Sequence, residues 1–143
     1  MNHEPKHKDF HQLKQLERTV EKIDHDVDAA VVEGYSDKKA LEKLGFTGRI
    51  FQSAERAVEE LSEDIERSID TVAILTDFDS HGKEASRELS QELEDKVNVD
   101  LAARKSFGKV LTSQDRYDVE DVAPLFSSWQ DKFVEAALDR LYF

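Results

Sequence analysis

The chain has 143 residues, 38% of them hydrophobic, which suits one domain with a single core and leaves no room for a second catalytic domain. It contains no cysteine, which excludes disulfides and thiolate metal sites, and no apolar run near the ~20 residues of a membrane span, so a soluble protein of the reducing cytoplasm is expected. The formal charge of -12, from 32 acidic against 20 basic residues, runs against nucleic-acid binding; a salt-loving source, where the Debye length falls to about 3 Å, or a protein partner or small phosphate ligand would account for it.

The polar start, residues 1–9, has no signal-peptide core and reads as a loose tail. His3, His7 and His11 stand four apart, a spacing that brings metal ligands together on a helix, but Pro5 interrupts the first pair. Phe10, Leu13, Leu16, Val20 and Ile23 fall at helical spacing and predict a docking helix to Asp26, so that residues 1–27 form a tail and helix ahead of the main domain. Next comes Ala-Ala-Val-Val-Glu-Gly-Tyr-Ser-Asp-Lys-Lys-Ala-Leu, from Ala29 to Leu41. Its unbroken apolar run predicts a strand covered on both faces, with Glu33 at the exit and a helix from about Asp37 to Leu44. Ser36 or Asp37 can cap that helix; Asp37 can also approach the rim that Glu33 occupies.

Gly48 to Gln52 reads as a second short strand, and Ser53 to Arg67 as a helix burying Ala54, Val58, Leu61 and Ile65. Its outer face is acidic, a side unsuited to nucleic acid. Thr71 to Gly82, Thr-Val-Ala-Ile-Leu-Thr-Asp-Phe-Asp-Ser-His-Gly, repeats the pattern of strand, acid, glycine and helix. On an extended backbone, side chains two apart point the same way, so Asp77 and Asp79 are expected to converge at the carboxyl end of their strand. Turn preference alone also explains an isolated Asp-x-Asp. Three carboxylates on one rim would repel one another, and the arrangement makes most sense with a divalent cation.

These two motifs, in this order, resemble the Toprim domain shared by topoisomerases, bacterial primases, overcoming-lysogenization-defect nucleases, RecR-type repair proteins and the ribosomal-RNA maturase. The resemblance covers about Asp28 to Arg104. It implies an α/β, Rossmann-like fold with a small parallel sheet of about four strands flanked by helices, here with extra N- and C-terminal helices. It also implies Mg²⁺ (or Mn²⁺) held by Asp77 and Asp79, with Glu33 as a further ligand or as the general acid/base. Gly34 and Gly82 match family glycines that let the backbone turn tightly.

Gly82 to Asp95 predicts a helix with Ala85, Leu89 and Leu93 inward, its amino end toward an anion; His81, in the loop before it, is either a phosphate or proton-transfer group or a bystander. Val97 to Ala103 alternates like a last strand. Arg104 to Arg116 is the one locally basic stretch, and Arg104, Lys105 and Lys109, with Lys38 on the earlier helix, are the expected phosphate contacts. The Toprim-like unit is placed at residues 28–116. Residues 117–143 form a helical extension, with Trp129, Phe133, Val134, Ala137, Leu138 and Leu141 as its apolar face. Glu120 and Asp121 are either helix-start charges or additions to the acidic site.

The leading expectation is a Mg²⁺-dependent nucleic-acid-processing protein, a nuclease of RNA maturation or DNA repair. The first alternative is a non-catalytic Toprim module that binds nucleic acid or a processing protein. The other is a haloacid-dehalogenase-type phosphatase, which also uses Asp-x-Asp after a strand but places it on its first strand. Neither a membrane association nor a topoisomerase tyrosine domain is expected, and the oligomeric state stays open between monomer and homodimer.

Overall fold

The computed structural model describes the backbone of residues 4–126 and the side chains of residues 8–126. Helix α1 (Glu4–Asp26) leads into β1 (Ala29–Val32), α2 (Tyr35–Lys43), β2 (Arg49–Gln52), a 3₁₀ turn (Ser53–Glu55) and α3 (Val58–Ser68). The chain continues through β3 (Thr71–Ile74), α4 (Ser80–Leu93), β4 (Asn98–Val99), α5 (Leu101–Ser113) and a second 3₁₀ turn (Val119–Val122). The four strands form one sheet in the order β2-β1-β3-β4, every pair parallel.

Parallel strands need crossovers, and the helices between them cover both faces. Alternation along the strands divides the core accordingly. Ala30, Val32, Ala73 and Leu75 face a layer built from α1, α2 and α5, with Leu16, Val20, Leu41 and Phe107 packed together. Ala29, Val31, Val72 and Ile74 face α3 and α4 through Leu61, Ile65, Leu89 and Leu93. Every residue of β1 is buried, which is why its sequence shows no alternation. Asp24 of α1 accepts hydrogen bonds from the Thr47 backbone N–H (2.7 Å) and hydroxyl (2.8 Å), tying the first helix to the entry of β2.

Three predicted elements are corrected. The helix expected from Ser53 is broken: Ala54 is exposed on a 3₁₀ turn and the buried face of α3 is Leu61, Ser62 and Ile65. In α4 the inward positions are Gly82, Ser86, Leu89 and Leu93, so Ala85 is exposed; the helix starts at Ser80, which sets the buried stripe. The strand expected over 97–103 shrinks to two residues because the Asp100 side chain accepts the Ala103 N–H and starts α5 there, leaving Leu101 exposed. The basic stretch that follows is thus largely helical, Arg104, Lys105 and Lys109 all lying on α5. His3, the side chain of His7 and the apolar tail positions from Trp129 to Leu141 lie outside the described residues.

Candidate metal and nucleic-acid site

The carboxyl ends of β1 and β3 are neighbours in the sheet, with Val31 opposite Ile74. Glu33 is the first residue beyond β1, and its carbonyl accepts the Ala54 N–H at 2.9 Å. Asp77 follows the exit of β3. Ligand sites of open α/β sheets occupy this edge.

The Asp77 carboxyl lies beside the Glu33 carboxyl, whose hydrogen bond and charge favour keeping the proton on Asp77 when no cation is present. Burial, the Glu33 contact and the charges of Asp37 and Asp118 push the Asp77 carboxyl up to about 8. This is mutual repulsion of acids in a partly desolvated place.

Asp79 does not join them. Strand β3 ends at Ile74, so the rule that i and i+2 side chains share a face no longer applies at 77–79. Asp79 instead caps α4: its Oδ1 accepts the Gly82 N–H at 2.8 Å and the residue is exposed. Among the described residues no group of three His, Asp or Glu side chains stands close enough to hold an ion. The expected three-carboxylate set is therefore reduced to the Glu33–Asp77 pair. The pair still suits a small hard cation, because Mg²⁺ is commonly held by one or two carboxylates with water and substrate phosphate completing its shell.

Two further acids surround the pair. Asp37 is buried; its Oδ2 accepts the Gly34 N–H (3.1 Å) and its Oδ1 the Glu120 N–H (2.9 Å). It is not the cap expected of Ser36 or Asp37: α2 starts at Tyr35, two residues before the expected Asp37, with Gly34 as its N-cap. Asp37 reaches back to that cap from the first turn, clasps the second 3₁₀ turn as well, and acts on Asp77 by its charge. Asp118, not singled out from the sequence, accepts the Asp121 N–H at 3.0 Å. Burial and the neighbouring Asp121 push its carboxyl up to about 7. The Phe78 N–H donates to the Tyr117 carbonyl at 2.6 Å, which brings residues 117–118 beside 77–78. The Asp-x-x-Asp spacing of 118 and 121 signalled a cap; its position beside the rim is a tertiary fact.

Arg104, expected to meet phosphate, turns inward. It donates to the carbonyls of Ile74 (3.1 Å), Thr76 (2.8 Å) and Asp77 (3.1 Å), and its guanidinium lies 4.2 Å from the Phe78 ring centroid. It fixes the β3 exit. Lys105 and Lys109 are exposed on α5, Lys38 is half-buried on α2, and His81 is exposed in the first turn of α4. Gly82 is held tightly, since a Cβ there would collide with the Asp77 carbonyl. Gly34 is not: the chain bends there between β1 and α2, but its backbone is extended (φ -140°, ψ -175°), a conformation open to any residue, so the turn does not require glycine.

The sheet order, the acid-tipped strands and the glycine under Asp77 agree with the comparison to known families, in which residues 28–103 match the Toprim domain. The chain belongs to the Toprim-domain family. Its relatives include a UPF0292 protein of Thermococcus sibiricus, 32% identical over 114 residues that span 79% of this chain and 89% of the relative. The UPF0292 protein of Thermococcus onnurineus is 33% identical over 114 residues, covering 79% and 84%. A solved structure of a protein from Aquifex aeolicus shares the fold, with a TM-score of 0.57 and 21% identity over 78% of this chain and 94% of that one. Among the described residues of this Toprim protein, no helix is long and apolar enough to cross a membrane.

Proposed function

We propose that this Toprim protein cleaves phosphodiesters of nucleic acid with Mg²⁺ (or Mn²⁺) bound at Glu33 and Asp77. The observation that carries the reading is the meeting of these two carboxyls at the strand edge, where like charges are brought together against their repulsion. A divalent ion there would neutralise charge on the scissile phosphate and help orient water.

The chain's own groups do the rest. Glu33 stands at the exit of a fully buried strand, where it can hold the ion or instead, with Asp77 as the ligand, take a proton from the attacking water. Arg104 holds the carbonyls of residues 74, 76 and 77, so the Asp77 side chain leaves a fixed backbone. Asp79 organises the first turn of α4 rather than binding the ion directly. Lys105, Lys109 and Lys38 are the proposed phosphate contacts.

A second reading, a Toprim module that binds nucleic acid or a processing protein without cutting it, is favoured by Asp79 being turned into a helix cap. One experiment separates them. Purified protein is given structured RNA, single-stranded RNA, and single- and double-stranded DNA with Mg²⁺, at low and molar salt, beside Glu33→Gln. Metal-dependent cleavage lost in the variant supports the nuclease; wild-type protein that binds but never cuts supports the module.

A further inference from the structure

A groove of about 370 Å³ runs between the start of α4 and the outer face of α5. Lys83, Arg104 and Lys105 line it together with Phe78, Leu101 and Gly108, and no acid does. In a chain of net charge -12 such a lining is exceptional. Neither Lys83 nor Lys105 makes an ion pair with another described residue, and both are exposed. Leu101 is 60% exposed at the lip, an unusual position for a leucine beside lysines. The floor is shaped by a close approach: a Cβ on Gly108 would stand 2.7 Å from the Phe78 ring.

We infer that this groove is a subsite for one nucleotide of a single-stranded nucleic acid, with its phosphate between Lys83 and Lys105 and its base against Leu101 and the Phe78–Gly108 floor. The inference deepens the proposed function and rests on it for the direction of the strand. Phe78, which lines the groove, directly follows Asp77 in the chain, so the groove lies on the same side of the β3 exit loop as a strand engaged at the acid pair would need. The groove's size is that of a small-ligand pocket. An apolar wall beside cations favours an unstacked base, which a duplex does not offer. Arg104 contributes by stacking on Phe78 while its N–H groups stay on the backbone carbonyls.

The test measures binding alone, so that it stands apart from cleavage. Fluorescence anisotropy with labelled single-stranded and duplex oligonucleotides of RNA and DNA is recorded in EDTA, for wild type, Lys83→Glu/Lys105→Glu, Leu101→Ala and a control double variant, Arg18→Glu/Lys22→Glu, on α1. Expected are a preference for single strands, a loss of roughly tenfold or more in the Lys83/Lys105 variant with a salt slope reduced by about 0.7, and an unchanged control. Leu101→Ala should weaken single-strand binding severalfold and leave duplex binding alone. Wild type that binds no oligonucleotide, that binds a poly-glutamate peptide instead, or whose affinity survives the Lys83/Lys105 change overturns the subsite. Binding lost in that variant, with no cleavage by wild type under Mg²⁺, sustains the subsite and removes the nuclease reading. Cleavage with unaltered binding in the variant does the reverse.

Discussion

Gly82 lies so close to the backbone of Asp77 that a methyl group on its Cα would overlap the Asp77 carbonyl and stand 2.7 Å from Asp77 Cβ. The helix α4 can therefore start directly beneath the acid only with glycine at its third position. Backbone rather than a flexible side chain is in the way, so relief requires moving the loop. Gly82→Ala should destabilise by about 1–3 kcal/mol, the usual range for overpacking. It should also weaken Mg²⁺ binding, because Asp77 moves with its carbonyl. Gly34→Ser is the contrast: an extended backbone and a good capping side chain keep its effect within about 0.5 kcal/mol. Urea unfolding and calorimetric Mg²⁺ titration of both variants check the pair of outcomes.

Arg104 holds three backbone carbonyls of the β3 exit, those of residues 74, 76 and 77, by charge-assisted hydrogen bonds and covers Phe78. Arg104→Met removes the donors and leaves partly buried carbonyls unsatisfied, at an expected cost of about 2–4 kcal/mol. Arg104→Lys should recover only part of this, since an ammonium cannot span carbonyls in the plane of a guanidinium. If Arg104 acted mainly as a phosphate contact, stability would hardly change and the salt dependence of nucleic-acid binding would fall instead. Denaturation midpoints and salt slopes of the two variants separate these roles.

The same residue shows how far the sequence could be read. The strands carrying Glu33 and Asp77 were visible because buried apolar runs ending in an acid and a glycine are a local pattern, and the Toprim likeness gave the sheet they belong to. What Arg104, Asp79 and Asp37 do was decided by partners distant in the chain or by competition for backbone donors. Arg104 reaches carbonyls 27 to 30 positions away, and Asp37 a backbone amide 83 positions away. Asp79 shows the limit of periodicity: five residues after the last paired position, Ile74, the alternation that would have aimed it with Asp77 no longer operates, and capping takes over. The basic groove escaped notice because Lys83 and Lys105 are separated by a whole strand and meet only when α4 and α5 pack side by side on the finished sheet.

The acid pair makes the stability of the metal-free protein fall as the pH rises from about 4 to about 8. The Asp77 carboxyl is raised to about 8 from an ordinary 3.8, chiefly by burial and then by Glu33, so the folded state holds its proton more tightly than the unfolded chain does. That contribution is fully present below about pH 4, declines as pH rises, and is lost above about pH 8. Its size is reduced by solvent screening at this half-exposed position. Asp77→Asn should flatten this decline between about pH 4 and pH 8 in EDTA. A bound cation must displace the Asp77 proton, so Mg²⁺ affinity should rise with pH toward 8, with up to one proton released per ion. Titration calorimetry in buffers of different ionisation enthalpy measures the release, and a pH-independent affinity would contradict the pair as the ion's site.

Asp37 joins two parts of the chain that meet beside the rim, the cap of α2 and the amide of Glu120. A buried carboxylate with two backbone donors is satisfied; removing it leaves both N–H groups without an acceptor. Asp37→Ala should cost about 2–4 kcal/mol, as a broken buried network does, and should release the 3₁₀ turn Val119–Val122 from α2. Asp37→Asn, which keeps one good acceptor, should lie between alanine and wild type. Hydrogen exchange reads the effect locally. The Glu120 amide should lose protection in Asp37→Ala by more than the amides of β1 do, because the turn's anchor is lost while the sheet is intact. Equal loss at both places would mean that Asp37 supports the whole fold and not this clasp.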